Sequence, residues 1–153
     1  MFARKGVQMC ENEFIGKFIS YLHRYGQIYI EKKMEPYGLG SGQFSFLMRL
    51  YQDDGINQEN LSSYLKMDKA TTTRAVKKLV DEGYVFRQVD EKDRRSYRIF
   101  LSDKGKKLEP EMKKIASQWE DILLSDFDGS QRKDIMNSLE IMFKNVSKIM
   151  QDK

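Results

Sequence analysis

The sequence has one cysteine, Cys10, and one histidine, His23. A lone cysteine cannot form an intramolecular disulfide bond, and this usage is typical of proteins that stay in a reducing compartment. One cysteine and one histidine also fall short of the ligands that a zinc site needs. The sequence contains no glycine-rich phosphate loop and no nucleophile with a base nearby. We therefore expect no metal, no cofactor and no enzyme activity.

Long hydrophobic runs are missing as well. No apolar stretch approaches the ~20 residues that a membrane-spanning helix requires. The N-terminal MFARKGVQMCENEF lacks the apolar segment of a signal peptide. Together with the single cysteine, these absences predict a cytoplasmic protein with no membrane partner.

Charge of one sign is only slightly in excess, but the excess is concentrated in one segment. The 153 residues are 40% hydrophobic and 33% charged, which is typical of one globular domain. The formal net charge is +4. Residues 69–98 contain nine basic and five acidic side chains, so this segment holds the entire surplus. Such a local basic footprint is expected of a surface that binds nucleic acid.

Hydrophobic spacing predicts two helices at each end of the chain. The first helix ends near EPYGLGSG, where a proline and three glycines interrupt the pattern. For the second, Ser41 is the expected N-cap and Gly55 the expected end. The last helix carries apolar residues at alternating four- and three-residue spacing, which is the seam of a helix that packs on other helices. These are Ile135, Leu139, Met142, Val146 and Ile149.

The middle of the chain predicts a helix-turn-helix followed by a hairpin. Asn57 is the expected N-cap of a short helix. Asp68 is the expected N-cap of a second helix, Lys69 to Glu82, which Gly83 stops. Two short helices joined by a break of a few residues form a helix-turn-helix. The β-branched and aromatic runs YVFRQV and YRIFL then predict two strands around a charged loop.

The second of these helices has one polar and one apolar face. At 100° per residue, Thr72, Val76 and Leu79 fall together and predict the core face. The outer face and its shoulders carry small residues first and cations later, which suits a helix that enters the major groove of DNA. Its members are Lys69, Ala70, Thr71, Thr73, Arg74, Lys77 and Lys78. An ordinary solvated helix face is the alternative.

The loop of the hairpin gives a second candidate contact. Arg94 and Arg95 at its tip are suited to a minor groove, where narrow A·T tracts concentrate negative potential. Asp93 can hold an arginine side chain extended, and Lys92 can touch the DNA backbone. A solvated turn is the alternative for this charge cluster.

These residues resemble a known family. The run DKATTTRAVKKLVDEGYVFRQVDEKDRRSYRIFLSDKG, residues 68–105, is similar to the winged helix-turn-helix core of MarR-type transcriptional regulators. The matching elements are the threonine-rich helix opening, the LVDEGYV turn, the Asp-x-Arg tip and the LSDKG that follows the second strand. The resemblance implies an α+β fold that is mainly α with a small β-hairpin. A single regulator would span residues 1–153, with a winged core at 41–102 and dimerisation helices at 11–37 and 103–150.

The resemblance also implies how such a protein works. It implies a homodimer that places two winged domains on one DNA duplex, most often as a repressor on a pseudo-palindromic operator with half-sites roughly 34–36 Å apart. The family's wing pattern assigns minor-groove insertion to Arg95 and a secondary phosphate contact to Arg94. A small aromatic or anionic effector would bind between the dimer helices and the winged domain. Its pocket stays unassigned, although His23, Tyr25, Tyr29 and Tyr37 are candidates for its lining.

Two other functions stay open on the sequence alone. One is a winged-helix module that binds proteins and has no affinity for DNA. The other is a small enzyme whose site is assembled from scattered residues. One branch of the family senses peroxides with an N-terminal cysteine, but that cysteine lies deeper in the first helix than Cys10, which therefore fits an ordinary thiol better.

Overall fold

A computed structural model describes residues 14–151 of the chain, so Cys10 lies outside the described residues. The predicted α+β class and the predicted order of helices and hairpin are confirmed. The elements are α1 (Ile15–Met34), a 3-10 turn (Glu35–Tyr37), α2 (Ser41–Leu50), β1 (Ile56–Asn57), α3 (Gln58–Leu65), α4 (Lys69–Asp81), β2 (Val85–Val89), β3 (Tyr97–Leu101), α5 (Asp103–Leu123) and α6 (Gly129–Gln151).

The chain divides into two compact units. The first extends to Ile115 and holds α1 to α4, the strands and the first part of α5. The second begins at Ala116 and holds the rest of α5 and α6. Across the described range, no helix combines the length and the apolar character needed to cross a bilayer.

The core of the first unit lies between the helix-turn-helix and the hairpin. Its fully buried side chains come from six elements and include Met34, Phe46, Leu47, Leu50, Leu61, Val76, Leu79, Ile99 and Met112. The predicted core face of α4 is confirmed, because Thr72, Val76 and Leu79 are all buried. Burial of apolar side chains at this spacing fixes which face of α4 is left for solvent.

Side-chain caps set the bounds of the two middle helices. The Asn57 side chain accepts a hydrogen bond from the Glu59 amide at 2.8 Å, and the Asp68 side chain accepts one from the Thr71 amide at 2.8 Å. Both predicted N-caps are therefore confirmed. At the far end of α4, Gly83 has a φ of +76° and its amide donates to the carbonyl of Val80. Glycine adopts this left-handed conformation without strain, so the predicted stop at Gly83 is confirmed.

Two predicted boundaries of α2 are wrong. Gly40, not Ser41, is the N-cap, because the Glu31 carboxylate of α1 accepts the Ser41 amide and makes a side-chain cap at Ser41 unnecessary. The helix ends at Leu50, ahead of Gly55, which instead leads into β1 with a φ of +81°. The start also has a local signal, since the Gly40 amide donates to the Gln43 side chain at 2.9 Å. Beyond the end of the helix, the Gly55 amide donates to the carbonyl of Ile99, a tertiary contact that no local pattern shows.

The strands form a small antiparallel sheet in the order β1-β3-β2. The hairpin pairs Val85 with Leu101 and Val89 with Tyr97, and it is called the wing below. Strand β1 has only two residues and joins the start of α3 to β3 through the pair Ile56 and Ile99. It was not predicted, because two residues are too few to show an alternating pattern.

Candidate nucleic-acid interface

Helix α4 presents its predicted outer face to solvent. All seven residues assigned to that face lie outside the core, with Thr71 half-buried and the others exposed. The face is polar because the opposite side of the helix is fixed in the core by Val76 and Leu79. The structure thus places the small residues in the first turns, after Lys69, and the other cations along the rest of the helix.

The hydroxyl groups on this face are already engaged within the helix. Thr71 Oγ1 donates to the Asp68 carboxylate at 2.6 Å, and this bond is the main cause that lowers the pKa of Asp68. Thr73 Oγ1 donates to the carbonyl of Lys69 at 2.8 Å. Arg74 reaches back to Thr71 Oγ1 at 3.2 Å. The two threonines therefore offer lone pairs, rather than free protons, to a ligand.

The lysines of the second half of α4 are paired along the helix. Lys77 Nζ lies 2.6 Å from Asp81 and Lys78 Nζ lies 2.8 Å from Glu82. The Lys78 ammonium is the main cause that lowers the pKa of Glu82. Exposed pairs of this kind contribute little, so a DNA phosphate can replace the carboxylate at small cost.

The tip of the wing is a tight turn built by Asp93. The Ser96 amide donates to the Asp93 carbonyl at 2.9 Å, and the Arg95 amide donates to the Asp93 carboxylate at 3.1 Å. The same carboxylate lies 3.4 Å from Arg95 Nε. Arg94 and Arg95 occupy the two central positions of this turn, and the Arg95 side chain is 93% exposed. The geometry therefore projects both arginines into solvent, with Asp93 beside Arg95.

The base of the wing is tied to the start of α3. Asn57 Nδ2 donates to the Asp90 carboxylate at 3.1 Å and to Ser96 Oγ at 3.0 Å. The Lys92 amide also donates to Asp90, at 2.9 Å. These two donors, the amide of Lys92 first and Asn57 second, hold the pKa of Asp90 below its ordinary value. Asn57 thus caps α3 with its oxygen and holds the wing with its nitrogen.

An open groove of about 510 Å³ lies between α4, the first turns of α3 and the wing. Of the predicted DNA contacts it brings together Lys69, Thr73 and Arg95. Lys92 lies elsewhere, since it lines a smaller groove of about 280 Å³ on the other face of the hairpin with Gln88 and Arg98. Lys69, Thr73 and Arg95 therefore share one groove, and Lys92 lies in another.

Sequence reasoning missed several residues of this groove. Arg87 and Tyr97 line it from the wing strands, and Gln58 lines it from α3. The alternation of the strands was the available signal: Arg87 pairs with buried Ile99, so it shares the inner face of the hairpin. Alternation by itself predicts the two strands but not the groove that their inner face lines.

The aromatic residues considered for an effector pocket have different surroundings. Tyr25 is largely exposed, whereas Tyr29 and Tyr37 pack against the core. The carbonyl of Tyr37 accepts a hydrogen bond from the Tyr84 hydroxyl at 2.8 Å, and burial raises the pKa of Tyr84. Tyr37 is thus tied to the end of α4 through the core.

Known proteins share both the sequence and the fold of this chain. The MarR family model matches residues 39–97. A MarR transcriptional regulator from Methanosarcina mazei Go1 is 72% identical, and its crystal structure covers 93% of this chain and 95% of its own with a TM-score of 0.86. YybA of Bacillus subtilis strain 168, an uncharacterized HTH-type transcriptional regulator, is 32% identical over 72% of this chain and 73% of its own length.

A further structure shares the fold at lower identity. A protein of Listeria monocytogenes described as a MarR family transcriptional regulator, complexed with 26mer DNA, is 24% identical with a TM-score of 0.84. It covers 89% of this chain and 91% of that chain. With the winged arrangement of α3, α4 and the hairpin, these likenesses confirm the resemblance found in the sequence. The chain belongs to the MarR family of transcriptional regulators, whose members are not enzymes.

Proposed function

We propose that the chain binds double-stranded DNA sequence-specifically and acts as a repressor of transcription. The observation that carries this proposal is the groove in which cations of α4 and of the wing share one open face. Helix α4 would enter a major groove and Arg95 the adjacent minor groove. The proposed contacts are Lys69, Ala70, Thr71, Thr73, Arg74, Lys77, Lys78, Lys92, Asp93, Arg94 and Arg95. The described structure of the Listeria protein with DNA supports this use of the fold.

The proposed active form is a homodimer. In the first unit, α1 leaves Phe18, Ile19 and Leu22 about half exposed. In the second, α6 exposes Leu139 and Val146 of the predicted seam. Contiguous apolar faces of this kind mark protein interfaces. Residues 11–37 and 103–150 would form the dimerisation region and residues 41–102 the winged core, so two cores would meet a pseudo-palindromic operator at half-sites roughly 34–36 Å apart.

Release from DNA would follow from a small effector. Family resemblance supports an aromatic or anionic molecule that binds between the dimer helices and the winged core. It would favour a spacing of the two cores that does not match the operator, and its effect is limited by its preference between the two states. A regulator of this kind would act in the cytoplasm.

A protein-binding module without DNA affinity is the second candidate. The observation that favours it is the stacked pair Phe86 and Phe100, 5.5 Å between ring centroids, on the outer face of the wing. Phe86 is 48% exposed, although aromatic side chains usually lie in a core or an interface.

Titration with DNA at several salt concentrations separates the two functions. We expect the full chain to bind duplexes from fragmented genomic DNA, with affinity that falls steeply between roughly 50 and 200 mM salt because counterions are released from each contacted phosphate. Sequencing the captured fragments would give the operator. Absence of duplex binding at low salt would reject the DNA-binding proposal and favour the protein-binding module.

A further inference from the structure

We propose that the groove between α4, α3 and the wing seats the sugar–phosphate strand of DNA, with Arg87 as its main phosphate contact. This inference rests on the proposed DNA-binding function and extends it to residues outside the helix face and the wing tip. Three side chains give the groove its charge: Lys69, Arg87 and Arg95. One carboxylate, Glu59, also lines it.

The charge balance of the groove favours an anion. Lys69 Nζ lies 3.3 Å from the Glu59 carboxylate, so this pair contributes little net charge. Among the described residues, no carboxylate forms an ion pair with Arg87. Its guanidinium lies 5.9 Å from the ring centroid of Tyr97, which orients the side chain without neutralising it. Arg95 Nε likewise lies 3.4 Å from the Asp93 carboxylate, so Arg87 is the groove cation whose charge no described carboxylate offsets, and it leaves the groove positive.

The position of the groove identifies which anion it meets. Helix α4 forms one wall and the wing, with Arg95 at its tip, forms the other. If α4 enters a major groove and Arg95 the adjacent minor groove, one sugar–phosphate strand separates them. That strand must pass over the space between the two walls, which is the groove that Arg87 lines.

Neutral polar side chains line the groove on the side of α3. Gln58, Ser62 and Ser63 of α3 line it with neutral polar groups. Arg87 lies on a strand, paired with buried Ile99, and so lies between the two elements that would reach base edges. Contacts to phosphates fix register and affinity and carry no sequence information directly.

The variant Arg87→Gln tests whether Arg87 contacts a phosphate in this groove. The probes are a pool of random-sequence duplexes and the captured genomic fragments. Removing one phosphate contact per chain should reduce the slope of log K against log salt by about 0.9 per chain, and weaken binding roughly tenfold or more on every sequence alike. Arg87→Lys keeps the charge and should restore the slope. The matched control is Arg98→Gln, which removes an arginine from the other face of the same hairpin and should leave the slope unchanged.

Glu59→Gln gives a test that misfolding cannot imitate. Removing the carboxylate from the groove should strengthen binding to the random pool a few-fold, because a nearby negative charge repels the phosphate. If the parent chain and Glu59→Gln bind the random pool with equal affinity, the proposal that the groove binds a DNA phosphate is contradicted.

The outcomes distinguish failure of the proposed phosphate contact from failure of the proposed DNA-binding function. If the parent chain binds duplexes but Arg87→Gln keeps the parent's slope of log K against log salt, Arg87 does not contact a phosphate. The proposed function then stands. If the parent chain binds no duplex, the proposed function fails instead. In a third experiment, the chain is titrated with inorganic phosphate at constant ionic strength, and binding is followed by NMR of the Arg87 side chain. Saturation at millimolar phosphate, with the DNA slope of Arg87→Gln unchanged, would make the groove a site for free anions and overturn the assignment.

Discussion

At the residue scale, the three consecutive threonines of α4 have three different roles. Thr71 donates to Asp68 and so strengthens the cap of the helix. Thr72 is buried, with its hydroxyl 3.0 Å from Ser62 Oγ. Thr73 donates to the Lys69 carbonyl. Since the protons of Thr71 and Thr73 are engaged, their free lone pairs fit a base amino group of adenine or cytosine better than a phosphate oxygen.

Gly105 illustrates a residue whose identity depends on close backbone approach. A Cβ at this position would overlap the carbonyl oxygen of Tyr84, which is held by the Ser102 amide at 3.0 Å and cannot rotate away. We expect Gly105→Ala to lower the free energy of unfolding by about 1–3 kcal/mol, because the first turn of α5 must move. Urea unfolding measures the effect. The control Gly42→Ala meets no atom within 4 Å and should be neutral or slightly stabilising; similar losses in both variants would contradict this role.

Asp90 should make stability depend on pH in the acid range. Its folded-state pKa is lowered, chiefly by the Lys92 amide, so its contribution is present above the unfolded pKa of about 3.9 and is lost as pH falls through the folded value. We expect Asp90→Asn to be less stable than the parent chain near pH 7 and the difference to shrink on acidification. Urea unfolding at fixed protein concentration across this range measures it. A difference that is the same at every pH would show that the charge of Asp90 is not the cause.

At the element scale, the wing is held by one side chain of the helix-turn-helix. Asn57 links the cap of α3 to Asp90 and Ser96 at the base of the wing. We expect Asn57→Ser to keep the cap, since serine caps equally well, but to release the wing because its hydroxyl cannot reach both partners. The wing would then deliver Arg95 poorly, so the variant should lose affinity mainly on sites with an A·T-rich wing contact.

A double-mutant cycle in DNA affinity tests this prediction. If Asn57 acts through Arg95, the double variant Asn57→Ser with Arg95→Ala should bind about as weakly as Arg95→Ala alone. When Asn57→Ser is combined with Arg74→Ala, the losses of DNA-binding free energy should add, since Arg74 lies on α4 and not on the wing. Additive losses with Arg95→Ala would show that Asn57 has only a structural role.

Local rules and tertiary contacts explain which elements could be predicted from the sequence. The caps of α3 and α4 and the stop at Gly83 follow from residues within each helix, and these predictions are confirmed. The start of α2 depends on Gln43, a local partner of the Gly40 amide, and also on Glu31, which lies ten residues before Ser41 and has no local pattern. The inner face of the wing could be predicted by alternation, but only the sheet register shows that Arg87 lines the same groove as Lys69.

At the scale of the whole molecule, charge and exposed apolar surface occupy different segments. The net positive charge lies in residues 69–98, which form α4 and the wing. Large exposed apolar side chains are instead concentrated on α1 and α6, near the two ends of the chain. A chain that leaves such faces uncovered gains stability when a partner buries them. This separation supports the proposed use of α4 and the wing for DNA, and of the apolar faces of α1 and of α6, each in its own unit, for a second copy of the chain.

The seam of α6 gives the test of the dimer. Leu139 is 49% exposed in a single chain and lies at the centre of the seam. We expect Leu139→Glu to convert the proposed dimer into a monomer, because the proposed interface would have to bury an unpaired carboxylate. Sedimentation velocity should show the mass fall by half. DNA affinity should fall by about 10²- to 10⁴-fold, since the second half-site would no longer be bound within one complex.

The matched control is Asn137→Glu, two residues away. It adds the same charge on a different face of α6, because two residues correspond to about 200° around a helix. It should keep both the mass and the DNA affinity of the parent chain. If Leu139→Glu also keeps the mass of a dimer, the seam of α6 is not the interface. The exposed face of α1 would then be the next surface to change, at Leu22, which is about half exposed in the single chain.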